Sequence, residues 1–208
     1  MALKRLCLKI YRTKIKTMLG GSCVKAIGFA GSGRKDGNST TLLREFLRGA
    51  SDAGAETKLV FLCDLSYRGC VGCLTCMNTG ECCQEDDVTP LYPKLREADI
   101  WAFASPIYFD SVSGLMKSFF DRLYPFTHQV GKLSGRKSGV FIVTYEDKPR
   151  DDYADVACRL TNYLGWMGNF TTEVLAAGSL GPAGAAAGKP DLLESAYQLG
   201  RRMVEVLR

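Results

Sequence analysis

From residue 24 onward, short apolar runs alternate with segments whose apolar positions recur every three or four residues. The runs at 24–30, 58–62, 99–104, 139–144 and 172–176 have the length of buried strands. Helical spacing follows them at 39–53, 88–97, 113–124, 151–164 and 191–207. Leu42, Leu43, Phe46 and Leu47 share one face of the first helix, and Leu115, Phe119, Phe120 and Leu123 share one face of the third. Five β-α alternations with apolar strands predict an α/β fold, a five-stranded parallel sheet covered on both faces in three α/β/α layers. Ligands of such sheets bind beyond the carboxyl ends of the strands, at the switch in strand order. The loops after the first, third and fourth strands are therefore of interest, together with a Cys-rich loop, 63–87, after the second. A Gly/Ala-rich stretch at 178–188 is the one low-complexity patch.

Composition bounds the rest. Of 208 residues, 46% are hydrophobic and 24% charged, which suits one folded domain with a sizeable core. No apolar run approaches the roughly 20 residues of a membrane span. The formal net charge is +5, but residues 1–17 hold Lys4, Arg5, Lys9, Arg12, Lys14 and Lys16 and no acidic residue. The remainder is close to neutral, so a nucleic-acid partner is not expected. Residues 1–22 form a basic extension outside the β-α pattern, either disordered or a cationic amphipathic helix. Charges interrupt any secretory h-region there. Residues 23–208 form the expected single domain.

The first loop reads Gly31-Ser-Gly-Arg-Lys-Asp-Gly-Asn-Ser-Thr40. It has neither the Gly-Lys-Ser/Thr of a P-loop nor the glycine spacing of a dinucleotide fingerprint. Hydroxyl and amide groups instead precede a helix N-terminus, whose unpaired N–H groups attract a phosphate. Such a loop suits a single phosphomonoester, as in FMN; the competing reading is an ordinary helix cap after a glycine turn. After the third strand comes Ser105-Pro-Ile-Tyr-Phe109. Its aromatics would cover a flat ring system or, alternatively, pack in the core.

These two segments, with Lys117-Ser-Phe-Phe-Asp-Arg122, resemble the NADPH-dependent FMN reductase group of flavodoxin-like proteins over about residues 24–207. The resemblance implies a doubly wound flavodoxin-like sheet. It also implies that Ser32, Arg34, Asn38, Ser39 and Thr40 hold the FMN phosphate and that Pro106, Ile107, Tyr108 and Phe109 contact the flavin. A proline usual in the family's first motif is Gly33 here, which loosens the loop and leaves its donors in place. By topology alone, Thr144 and Tyr145 lie where a third flavin-contacting loop belongs.

Nine cysteines is a high count, and Cys70, Cys73, Cys76, Cys82 and Cys83 fall together. An odd, clustered set in a domain of this size points to a reducing compartment, the cytoplasm, and to a metal or redox site. Thiolates two residues apart wrap one face of a [4Fe–4S] cubane, and a fourth closes it. By spacing the set is Cys70, Cys73, Cys76 and Cys82, with Cys83 as the rival fourth ligand. Zinc, metal-free redox thiols and a vestigial motif stay open. The compact spacing resembles the iron–sulfur flavoprotein branch of the same family. That branch implies an FMN-dependent oxidoreductase with one cluster, NAD(P)H or ferredoxin as donor, and a homodimer or tetramer in which the cysteine loop nears a neighbour's flavin. A cluster-free FMN or quinone reductase and a flavodoxin-like electron carrier are the alternatives.

Several other residues carry expectations. Glu81, Glu85, Asp86 and Asp87 read as a solvated loop edge, with Asp87 as a helix cap, and Asp121 and Arg122 as an ion pair or subunit contact. His128, the only histidine, reads as structural, and Trp101 as core. Trp166 and Met167 read as core or interface. Cys7, Cys23, Cys63 and Cys158 read as ordinary thiols.

Overall fold

The computed structural model describes residues 23–149 and 151–208. The basic extension expected at 1–22 lies outside the described residues. The elements run β1 Lys25–Ala30, α1 Asn38–Asp52, β2 Glu56–Phe61, a single turn α2 Cys76–Thr79, α3 Leu91–Glu97, β3 Ile100–Tyr108 and β4 Ser111–Val112. They continue with α4 Gly114–Asp121, β5 Arg136–Thr144, α5 Asp151–Met167, β6 Asn169–Ala177 and α6 Pro190–Glu205. The five long strands pair in parallel in the order β2-β1-β3-β5-β6, and β4 folds back antiparallel on β3. The order reverses between β1 and β3, the doubly wound arrangement expected of a flavodoxin-like sheet.

Alternation along each strand divides the core in two. Ala26, Ala30, Ala102, Ala104, Val140 and Ile142 face α1 and α6. Ile27, Phe29, Trp101, Phe103, Phe141 and Val143 face α3, α4 and α5. Small strand residues thus draw one helical layer close, while aromatic rings fill the other. Phe103 stacks between Phe29 and Phe141, with centroids 5.6 and 5.3 Å away. On the close side, a Cβ on Gly49 would lie 1.9 Å from the Tyr197 carbonyl, and one on Gly200 equally near that of Phe46. Glycine at these two positions is what lets α1 and α6 touch backbone to backbone.

Several boundaries depart from the sequence pattern by three or more residues, and two of these bear on the site. The expected third strand stops at residue 104, yet β3 continues through Pro106 to Tyr108. Ala104 bonds toward β1 through the Gly31 N–H (2.7 Å), and Pro106 is turned to the same side, where β1 has ended. Its missing N–H leaves no bond unmade. The expected helix 113–124 is shorter, and a 3₁₀ turn, Tyr124–Thr127, follows with Pro125 in its first residues. Proline cannot donate to the preceding turn, so the α-helical ladder stops before it.

Candidate functional site

The first loop leaves β1 beneath α4. A Cβ on Gly31 would lie 2.7 Å from Met116 Cβ, so only glycine passes there. Ser113 caps α4 by accepting the Met116 N–H (3.1 Å) and donates to the Gly31 carbonyl (2.5 Å). Its own N–H donates to Ser105 Oγ (2.9 Å). The loops after β1 and β3 are thereby tied to one helix cap. Within the first loop, Ser32 Oγ accepts the Arg34 N–H (3.0 Å), which curls the chain toward α1. Ser32, Ser39 and Thr40 are buried, and Arg34 is exposed.

The first-turn N–H groups of α1, at Asn38, Ser39 and Thr40, have no intrahelical acceptor, and no side chain caps this helix. Asn38 departs from the donor role expected of its side chain. Its amide donates to the carbonyls of Leu180 (2.7 Å) and Pro182 (2.9 Å) and accepts the Ala186 N–H (3.0 Å). It staples the Gly/Ala-rich loop beside the first loop, a pairing 142 residues apart that spacing cannot reveal. What Asn38 leaves for a ligand is its backbone N–H.

Tyr108 and Phe109 stand at the tip of the β3–β4 hairpin. Tyr108 is 53% exposed and Phe109 104%, so the core-packing alternative is excluded for both. Phe109 and Asp110 carry φ of 50° and 55°, the left-handed pair of a two-residue hairpin turn. Pro106 and Ile107 lie just below, half-buried. Thr144 and Tyr145 are buried at the end of β5. The Tyr145 ring meets Tyr153 edge-on, at 4.6 Å between centroids. All three loops reach the carboxyl edge of the sheet.

The cysteine loop flanks α4. Cys70, Cys73, Cys76, Cys82 and Cys83 line one small cavity of about 20 Å³ with Gln84, Asp121, Arg122 and Tyr124. Positive φ at Gly72, Leu74 and Gly80 (68°, 63° and 70°) folds the chain back on itself around it. Cys76 is buried, and Cys82 packs against the aromatic side of the core. The sulfurs of Cys73 and Cys83 lie 3.2 Å apart. Hydrogen bonds from Thr75, then the neighbouring Cys83 thiol, draw the Cys73 thiol down to about 7. Burial, then the nearby Cys82, raises that of Cys76.

Among the described residues, no three His, Cys, Asp or Glu side chains gather closely enough to share one metal ion. A cubane binds each thiolate through a different iron, and the five thiols lining this one cavity are the donor type such a group takes. The Arg122 guanidinium lines the same cavity. Arg122 Nε is buried and has no hydrogen-bond partner among the described residues.

Arg122 corrects two expectations. It pairs not with Asp121 but with Asp86, at 2.5 and 3.1 Å, whereas Asp121 pairs with Lys117 at 2.8 Å. Asp86 thus leaves the solvated loop edge. Asp87 accepts the Ser66 N–H (2.7 Å) and caps no helix. His128 lies edge-on against Tyr124, 4.6 Å between centroids, away from the three loops. Trp101 is core as expected; Met167 is buried and Trp166 exposed.

A sequence profile described as NADPH-dependent FMN reductase matches residues 24–185. The chain belongs to the NADPH-dependent FMN reductase family. Family membership makes it an FMN-dependent oxidoreductase, in keeping with the loops just described. An iron–sulfur flavoprotein of Archaeoglobus fulgidus is 33% identical over 190 residues, 88% of this chain and 80% of that protein. Another, from Methanocaldococcus jannaschii, is 40% identical over 102 residues, about half of each chain (49% and 53%). Among solved structures, an NAD(P)H:quinone oxidoreductase from Methanothermobacter marburgensis superposes with a TM-score of 0.63 at 19% identity, over 90% of this chain and all of that one. An archaeal flavodoxin gives 0.57 at 14% identity, over 88% of this chain and 99% of that one. At these identities the structural matches speak for the fold, and the family assignment rests on the profile and the relatives.

Proposed function

We propose that this family member carries FMN at the carboxyl edge of the sheet and a [4Fe–4S] cluster in the cysteine loop, and moves electrons between them. Together the two groups supply hydride acceptance and one-electron transfer. The observation that carries the reading is the gathering of five thiols around one cavity, on the helix that also braces the flavin loops. The curated relatives named iron–sulfur flavoprotein support it.

The chain's own residues divide the work. The N–H groups of Asn38, Ser39 and Thr40, with the Ser32, Ser39 and Thr40 hydroxyls and the Arg34 guanidinium, take the FMN phosphate. Pro106 and Ile107 border the isoalloxazine, Tyr108 and Phe109 cover it, and Thr144 and Tyr145 close its far side. Cys70, Cys73, Cys76 and Cys82 ligate the cluster, and Cys83 remains the spare thiol. Residues 23–208 act as one FMN-binding domain, with 1–22 as an appendage. The family description favours NAD(P)H as donor, with ferredoxin as the alternative. Free thiols suit the cytoplasm. No described helix is long and apolar enough to cross a membrane. The exposed Trp166 and Tyr163, paired edge-on at 5.0 Å, offer an apolar face consistent with a homodimer or tetramer.

The test is anaerobic purification with iron, acid-labile sulfide and flavin assayed together. About four irons per FMN is the expected result. Fewer than one iron per FMN overturns the cluster and leaves a cluster-free NAD(P)H-dependent FMN or quinone reductase. The close approach of Cys73 and Cys83, fit for a redox thiol pair, favours that second reading.

A further inference from the structure

Arg122 is 1% exposed, the deepest-buried charged residue among those described. It follows the last turn of α4. Its Nη1 donates to the Arg68 carbonyl (2.9 Å) and to Asp86 Oδ2 (2.5 Å). Its Nη2 donates to Asp86 Oδ1 (3.1 Å) and reaches the Gln84 carbonyl at 3.4 Å. Arg68 precedes Cys70 by two residues, and Gln84 directly follows Cys83. One guanidinium therefore joins both ends of the loop. Gln84 Nε2, donating to the Gly69 carbonyl (3.1 Å), seconds the same closure. Tyr92 donates its hydroxyl to the Arg122 carbonyl (2.9 Å) and fixes the residue from α3.

Four of the five N–H directions of a guanidinium are taken up at this junction. The fifth, Nε, is buried without a partner among the described residues, in a side chain that lines the thiol cavity. A buried N–H left unmet carries a desolvation penalty, so the position makes physical sense if an acceptor arrives. Four thiolates around an iron–sulfur core bring surplus negative charge and sulfur acceptors to that cavity.

We propose that Arg122 is the positioning residue of the cysteine loop. It clamps both ends of the loop before the cluster forms, and it presents its remaining N–H to the loaded cluster. The second half rests on the proposed function; the first does not. Lysine cannot replace it, because a single ammonium cannot bridge two carbonyls and a carboxylate in one plane. A hydrogen bond donated to such a cluster stabilises its more reduced, more negative form, so its loss lowers the potential.

The test compares the full-length wild-type protein with Arg122→Lys and Asp86→Asn. FMN binding, followed by quenching of flavin fluorescence, establishes that each variant folds. In the metal-free proteins, amide hydrogen exchange over 68–86 is expected to accelerate at least ten-fold in R122K, with exchange in β3 and β5 unchanged. After anaerobic reconstitution with ferrous iron and sulfide, R122K is expected to hold less than half the wild-type iron. The cluster that does form is expected to titrate at a lower midpoint by electron paramagnetic resonance. D86N, which weakens the clamp and keeps the arginine, is expected to accelerate loop exchange without that drop in midpoint, and it carries the exchange test if R122K does not bind FMN. Wild-type exchange in both variants overturns the clamp. A wild-type midpoint in R122K overturns the hydrogen-bond half. Should the wild-type protein take up no iron, the cluster reading and the hydrogen-bond half fall together, and exchange alone decides the clamp.

Discussion

Phe109 combines a left-handed backbone, φ 50°, with a ring wholly in solvent. Each condition is unfavourable by itself: a bulky side chain at positive φ costs on the order of 1–3 kcal/mol, and exposed aromatic surface forgoes burial. A flavin ring laid against the hairpin tip would recover the second cost. Phe109→Gly is expected to raise the melting temperature of the flavin-free protein by a few degrees and to weaken FMN binding several-fold. Thermal melts and flavin titration read the two effects, and a variant that melts no higher and binds FMN equally well would remove this role. Asp86 gives a second prediction. Burial pushes its carboxyl up, but the Arg122 hydrogen bonds and the Val88 N–H outweigh that and hold it below its ordinary 3.8. A carboxyl depressed in the folded state stabilises the fold above its unfolded value, and that contribution disappears as pH falls toward the folded one. Below about pH 4 the wild-type protein is expected to lose stability more steeply than D86N, as denaturant midpoints against pH would report. Arg122 and Asp86 also mark where sequence reading stops. Asp86 stands in an acidic run that looks like a solvated edge, and nothing local shows that an arginine 36 residues away is folded over it.

The strands and helices were largely legible as elements. Their periodicity reflects burial on one or two faces, and burial decides the parallel sheet and its two layers. The contacts that shape the binding edge were less so. The continuation of β3 past Pro106 depends on where its neighbour ends, and the Asn38 staple depends on a loop brought back by α6. The approach of α1 and α6 is a similar case, resting on glycines that look unremarkable in a helical pattern. Gly49→Ala is expected to destabilise the fold by at least about 2 kcal/mol, since its methyl would collide with the Tyr197 carbonyl. Gly165→Ala, on the exposed side of α5 with nothing within 4 Å, is expected to stabilise by about 0.5–1 kcal/mol through helix propensity. Denaturant unfolding of the pair separates close packing from propensity. Equal effects would show that the α1–α6 contact yields.

At the scale of the molecule, the thiol cavity and the phosphate loop share no residue. Metal removal is therefore expected to be selective. Treating the reconstituted protein with a chelator in air should abolish the broad iron–sulfur absorbance and leave the flavin bands and the FMN stoichiometry unchanged. Release of FMN in step with iron would mean that the two sites fold as one. The helix between them has a consequence of its own. Ser113 anchors the start of α4 to the first loop, Arg122 secures the cysteines just past its end, and eight residues at 1.5 Å rise make it about 12 Å long. α4 is thus a built-in spacer between the first loop and the cysteine loop. Lengthening it by one residue would turn Arg122 about 100° around the axis as well as move it, so the spacing of the two loops and the closure of the cysteine loop are not independently adjustable.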